Sequence, residues 1–266
     1  MLRGENMIKI NEFENHLKDT TLSERTVYSY ICAMKHYARF FDEVTTQNIQ
    51  QYKRLCMKAQ KPKTINLRLN ALQKYIKWLK LDAEVSTIRI QEPLFAENLL
   101  TTVDYYKILN HLRSTGQIDW YIILRTLACT GVRISESYQI KVGDLRQNRK
   151  TIIGKGTKSR VIWFPQRYRS DILSLLKGRK DTDRIITHTD DYIRTKLRLL
   201  QKILRINCHL SPHEFRRFYA RQVYAKTKDI YLVKDLLGHS SIKTTTRYLR
   251  INISSISRRL SRIIDW

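Results

Sequence analysis

Residues 211–216 read Ser211-Pro212-His213-Glu214-Phe215-Arg216, and their order spells a helix start. A serine oxygen can accept from a backbone N–H two or three residues on. Proline suits the first helical position because the N–H it lacks would have had no partner there, and a glutamate three residues after the serine fits a capping box. The pattern predicts a helix opening at Pro212 with His213 in its first turn. His213 and Arg216 stand three apart, so one face of that turn presents an imidazole beside a guanidinium. Cys208, His209, His213 and His239 are the residues from which a metal set would have to come. Pro212 belongs at a helix start, so His209 and His213 need not share a helical face, and no metal is expected.

Outward from this turn, two further stretches place chemistry-bearing side chains at the ends of helices. Downstream, Leu237-Gly238-His239 closes one helix with a glycine, and a hydroxyl-rich and basic stretch leads to Tyr248. Upstream, an apolar helix around residues 122–129 stops at Thr130-Gly131, where glycine suits a left-handed position, and Val132-Arg133-Ile134-Ser135-Glu136 follows. Between them the pattern changes to period two: Thr151-Ile152-Ile153, then Gly154-Lys155-Gly156-Thr157, then residues 160–164, a hairpin with Lys155 bracketed by glycines at or near its tip. Lys158 is the competing lysine; the bracketing favours Lys155. The glycine segment is too short for a G-x-x-x-x-G-K-[ST] nucleotide loop.

Arg133, Lys155, His213, Arg216, His239 and Tyr248 thus lie at turns or helix ends, from which side chains can reach a common cleft. Such a set fits a phosphodiester substrate. Attack by a tyrosine oxygen builds charge on the non-bridging oxygens, which two guanidinium forks can hold. A phenol's ordinary pKa of about 10 requires its proton to leave during attack, which a histidine can assist, while a lysine can protonate the departing oxygen. The scheme uses no cofactor and no metal. Tyr219, Tyr224 and Tyr231 compete with Tyr248 as candidate nucleophiles; most of them are expected to pack.

The rest of the chain fits a nucleic-acid partner. Among 266 residues, 50 are Lys or Arg against 24 Asp or Glu, a net charge of +26 spread along the sequence. A chain that repels itself this strongly calls for an anionic partner, nucleic acid being the commonest. No apolar run approaches the roughly 20 residues of a membrane span and no signal opens the chain, so a cytoplasmic, nucleoid-associated protein is expected. Cys32, Cys56, Cys129 and Cys208 stand far apart, which argues against a disulfide framework. Before residue 81 the chain reads as helices. Ser23 caps a stripe of Val27, Ile31, Met34, Ala38 and Phe41; Ile65, Leu69, Leu72, Ile76 and Leu79 make a second, with Lys63, Arg68, Lys74, Lys77 and Lys80 on other faces, some facing DNA. The pattern fades from Leu81 to about Phe95, and Thr101 to Asp104 then caps a helix with Val103, Leu109 and Leu112. This divides the chain into a helical domain over 1–85, a linker over 86–95 and a second domain over 96–266.

The ordered set Thr130 to Glu136, Gly154-Lys155-Gly156, His213 to Arg216, and Leu237-Gly238-His239 with Tyr248 resembles the catalytic domain of tyrosine recombinases, the integrase family that includes Xer-type proteins. The resemblance covers roughly Leu99 to Leu249, and the preceding helices resemble the family's core-DNA-binding domain. It implies a mainly α fold with a small β-sheet (an α+β catalytic domain). It also implies that Arg133 and Arg216 bind phosphate, Lys155 is the general acid, His213 and His239 are hydrogen-bonding or base residues, Tyr248 is the nucleophile and Glu136 supports the first arginine. By the same resemblance, the partners are double-stranded DNA with short inverted recombination sites, a homotetramer linked through the C-terminal tail (Ile253, Ile256, Leu260, Ile263), and accessory proteins in some members. Arg217, turned about 100 degrees from His213 on a helix, is expected to make a phosphate or surface contact. A type IB topoisomerase and a catalytically silent DNA-binding relative are the rival readings.

Overall fold

A computed structural model describes residues 8–90, 98–154 and 159–249. The chain divides into two compact units, Met1–Glu92 and Pro93–Trp266. The described residues are mostly helical, with one small two-stranded antiparallel sheet among them.

The first unit holds α1 (Ile10–Lys18), α2 (Glu24–Tyr37), α3 (Thr46–Ala59) and α4 (Pro62–Leu79). Ser23 caps α2 by accepting from the Thr26 N–H, and Thr45 caps α3 in the same way from Asn48. The stripe read as running to Phe41 is helical only to Tyr37. There the chain turns, and the Tyr37 hydroxyl donates to the Glu43 carbonyl; Ala38 becomes the C-cap and Phe41 packs on the same core from outside the helix. In α4, Ile65, Leu69, Leu72 and Ile76 are buried as their spacing predicts, but Arg68 turns inward, its Nη1 2.9 Å from His36 Nε2. Residues 83–90 form no regular element. Asn66 grips this stretch by donating to the Ile88 carbonyl and accepting from its N–H, as a backbone partner would.

The second unit begins with α5 (Thr102–Ser114) and α6 (Ile118–Thr130), continues through the short α7 (Ile134–Ser137) and a 3₁₀ turn (Val142–Arg146), and forms β1 (Arg149–Ile153) and β2 (Ser159–Trp163). It then runs through α8 (Gln166–Leu175), α9 (Asp190–Ile203), α10 (Pro212–Thr227), α11 (Ile230–Leu237) and α12 (Ile242–Tyr248). Thr101 caps α5 as predicted, yet Val103 is 78% exposed; the inward face is Tyr105, Ile108, Leu109 and Leu112. Helix α6 is buried nearly all round, and α10 packs along it. Its end at Gly131 has φ +62, and the Tyr219 ring occupies the space a Cβ would need there, so both conformation and packing demand glycine. In the hairpin, Ile152 pairs with Arg160 and Lys150 with Ile162; only Ile152 and Ile162 are buried.

Candidate active site

The site begins where α6 stops. Arg133 precedes α7, and Glu136, only 3% exposed, folds back beneath it. The Glu136 carboxylate accepts from the Arg133 N–H at 2.9 Å and from Arg133 Nη1 at 2.6 Å, and its Oε2 also accepts from Arg160 Nη2 at 2.7 Å. Burial alone would raise its pKa. The Arg133 backbone bond and the Arg160 charge outweigh that, so the carboxyl sits below the usual range and stays ionised.

Helix α10 contributes the next groups. Ser211 accepts from the Glu214 N–H at 3.2 Å, the cap its sequence predicts. The Glu214 carboxylate does not return to close a capping box; it accepts from the Leu100 N–H at 3.2 Å and from Arg221 Nη2 at 3.0 Å, partners supplied by the start of the unit and by the same helix two turns on. Arg216 is 1% exposed. Its Nη1 donates to the Gly131 carbonyl at 2.6 Å and its Nη2 to the Leu237 carbonyl, so it ties together the ends of α6 and α11. Burial and the nearby Arg133 and Arg160 lower its pKa to about 10, which leaves it charged at neutral pH. Its Nε is buried with no hydrogen-bond partner among the described residues.

Gly238, in the left-handed region at φ +61, ends α11 and delivers His239 into this pocket. The Nε2 of His239 lies 3.3 Å from Arg216 Nη2 and its Nδ1 3.0 Å from Thr245 Oγ1. A guanidinium can only donate, so Nε2 accepts and the proton resides on Nδ1, directed at the buried Thr245. Burial, then Arg216, Arg133 and Arg160, push the His239 pKa down to about 4. His213 is similar: desolvation of its ring and the charges of Arg217, Arg216, Arg133 and Arg194 lower it to about 4, although the residue as a whole is exposed. Both imidazoles are neutral at pH 7.

Tyr248, at the end of α12 and 8% exposed, sits between them. Its hydroxyl is 2.9 Å from His213 Nε2, and its ring lies edge-on to His213 and His239, with centroids 5.1 and 4.7 Å away. Arg217 does not turn away from this centre: its guanidinium lies over the Tyr248 ring at 5.8 Å. Arg133, Glu136, His213, Arg216, His239 and Tyr248 therefore form one cluster drawn from α7, α10, α11 and α12. Lys155, its competitor Lys158 and the tail residues Ile253, Ile256, Leu260 and Ile263 lie outside the described residues. Of the competing tyrosines, Tyr219 and Tyr224 pack against the small core around Ala220 and Val233, while Tyr231 is exposed. Arg160 and Thr245 escaped the sequence reading because neither belongs to a spaced motif; the only signal was a charged residue on β2 opposite an apolar one.

The comparisons agree with this architecture. The phage integrase family matches residues 98–254, and the phage integrase N-terminal SAM-like domain matches residues 10–82. Tyrosine recombinase XerA of Thermococcus kodakarensis is 25% identical over 94% of this chain and 93% of its own length. The TnP I resolvase of Bacillus thuringiensis is 26% identical over 94% and 97%. A crystal structure of the XerH site-specific recombinase bound to a palindromic difH substrate, in a post-cleavage complex, shares the fold with a TM-score of 0.70 at 15% identity, covering 95% of this chain and 83% of that one. With its catalytic-domain match spanning more than half of its length, the chain belongs to the phage integrase family, the tyrosine recombinases, enzymes that transfer DNA strands.

Proposed function

We propose that this protein is a site-specific recombinase that cuts and rejoins DNA through a 3′-phosphotyrosyl link on Tyr248 and a Holliday junction. The observation that carries the reading is the 2.9 Å contact between the Tyr248 hydroxyl and the Nε2 of a neutral His213, beside the buried guanidinium of Arg216. In the step, Tyr248 Oη attacks the phosphorus as its proton passes to His213 Nε2. The bond from phosphorus to the 5′ oxygen breaks, and that oxygen takes a proton from Lys155. Arg133 and Arg216 hold the non-bridging oxygens, with Arg216 Nε a ready donor, and His239 adds a further hydrogen bond. A base of pKa about 4 is weak in the free chain; an arriving phosphate offsets the surrounding guanidinium charges and strengthens it when it is needed. The covalent link conserves the energy of the broken bond, so no nucleotide cofactor enters.

Residues 1–85 would grip core DNA, 86–95 link, and 96–266 cut, with the C-terminal tail joining four protomers over paired inverted sites on the cytoplasmic nucleoid. The biological task is integration or excision of a mobile element or resolution of DNA dimers, with accessory proteins where the site demands them. To test the chemistry, duplexes bound by the full chain are selected from a randomised pool. One is then rebuilt with a nick that releases the cleaved 5′-hydroxyl strand. The unaltered chain is expected to accumulate a covalent 3′ adduct, and Tyr248→Phe to bind equally and form none. An adduct with the phenylalanine variant would overturn the assignment. Deletion between two selected sites on a supercoiled plasmid, as opposed to relaxation alone, separates a recombinase from a topoisomerase.

A further inference from the structure

Arg160 is the one side chain among the described residues that joins the hairpin to both halves of the catalytic cluster. It projects from β2 and is 9% exposed at its side chain. Its two terminal nitrogens point to different elements: Nη1 donates to the Leu236 carbonyl in the last turn of α11, and Nη2 to Glu136 Oε2 at 2.7 Å. Its Cδ lies where a Cβ on Gly238 would stand, so the turn carrying His239 closes directly on the arginine's stem. Leu236 is three residues before His239, and Leu237, between them, gives its carbonyl to Arg216. Glu136 meanwhile fixes Arg133 at both its N–H and its guanidinium. One planar fork therefore sets the distance between the Arg133 platform and the His239 turn, a span that a point charge on a flexible stem cannot hold at both ends.

We propose that Arg160 is a positioning residue for the strand-transfer step: it touches no reacting atom, but holds Glu136, and through it Arg133, in register with the Gly238-His239 turn. This rests on the phosphotyrosyl reading above and assigns it a residue outside its catalytic set. The coupling also explains why the space at Gly238 must stay empty of a side chain, since a methyl group there would displace the fork.

The test uses the full chain and the nicked selected duplex, with the cleavage rate constant at saturating protein, the DNA affinity and the melting temperature measured on each variant. Arg160→Met is expected to bind DNA as the unaltered chain does and to cleave about a hundredfold more slowly, the loss that a misplacement of about 1 Å brings. Arg160→Lys, which keeps the charge beside Glu136 but not the fork, is expected to recover part of that rate and remain about tenfold down with an unaltered melting temperature. Glu136→Gln combined with Arg160→Met should cost little more than Glu136→Gln alone, because that variant already breaks the link to Arg160. If Arg160→Met fails to fold, Arg160→Lys decides: full cleavage by it overturns the assignment. So does a loss of rate in Arg160→Met that merely follows a loss of DNA affinity. Absence of adduct from the unaltered chain sinks the phosphotyrosyl reading itself, whereas adduct from the unaltered chain and from both Arg160 variants at equal rates sinks the positioning role alone.

Discussion

The two units bury different things. In the first, the interior is apolar and aromatic, and its buried tyrosine hydroxyls reach nearby groups: Tyr37 the Glu43 carbonyl, Tyr52 His36, Tyr75 the Lys9 N–H. In the second, Glu136, Glu214, Arg216 and His239 are buried along with Thr126, Thr130, Ser137 and Thr245; among the described residues, every buried polar or charged side chain lies there. Four-helix packing of the first kind needs no buried charge, and removing charge from water is costly unless each ion is paired and hydrogen-bonded. The second unit accepts that cost around Tyr248, where the proposed chemistry needs groups fixed before a phosphate arrives, and offsets it through the bonds converging on Glu136.

The sharpest way to break this comparison is Glu136→Gln. The shape survives, but Arg133, Arg160 and Arg216 lose their common anion, two of them inside the protein. Removing one partner of a buried ion pair leaves uncompensated charge, and a loss of about 3–5 kcal/mol is expected by urea denaturation at pH 7. A loss below about 1 kcal/mol, the value of an exposed pair, would show that the carboxylate is solvated and the contrast between the units false.

The same contrast explains what the sequence discloses. Helix starts are local chemistry, so Ser23, Thr101 and Ser211 announce their caps, and Ile65 to Ile76 announce their buried stripe, because the partners lie within four residues. Motif order picks out Arg133, His213, Arg216, His239 and Tyr248, which the fold brings together, since each stands beside a glycine, a cap or a turn. It does not disclose what sits across from them. Glu214 reads as the closing residue of a capping box and instead bonds Leu100, 114 residues away. Arg217, turned from His213 by the helix, reads as a phosphate or surface contact, and nothing local in its sequence shows that α12 brings the Tyr248 ring under it. Arg160 meets Leu236 across 76 residues. Long-range contacts of this kind leave no periodic trace. Val103 fails for a different reason, as one apolar residue in a capped first turn that no neighbouring element covers.

A second test titrates the neutral imidazoles. Their pKa values in the folded chain are about 4, below the ordinary value of about 6.5, so on lowering pH the unfolded chain takes up protons first. The stabilisation is therefore complete above about pH 6.5 and is lost as pH falls towards 4; for the buried His239 it amounts to at most about 3 kcal/mol. Proton NMR of the free chain should place both midpoints near pH 4, with Thr245→Val moving His239 and leaving His213. Bound duplex DNA should raise both midpoints, since a phosphate offsets the arginines. Midpoints near 6.5 in the free chain would mean that the cluster is open to water, and the guanidinium charge around Tyr248 ineffective.

The smallest effect belongs to the first unit. Tyr75 is fully buried, with its ring against Phe13 and Trp78 at 5.0 and 5.6 Å, and its hydroxyl accepts from the Lys9 N–H at 2.8 Å. Tyr75→Phe keeps both ring contacts and removes the acceptor at the start of α1. Lys9 is exposed, so water can take the hydroxyl's place, and the expected loss is about 1 kcal/mol, the ordinary net worth of a hydrogen bond. Glu136 has no such substitute, because it is itself buried and the guanidiniums of Arg160 and Arg216 are buried with it. If urea denaturation instead showed Tyr75→Phe to cost as much as Glu136→Gln, the first unit would depend on its polar contacts as the second does, and the burial of charge around Tyr248 would no longer mark the place where the fold gives up stability for the proposed chemistry.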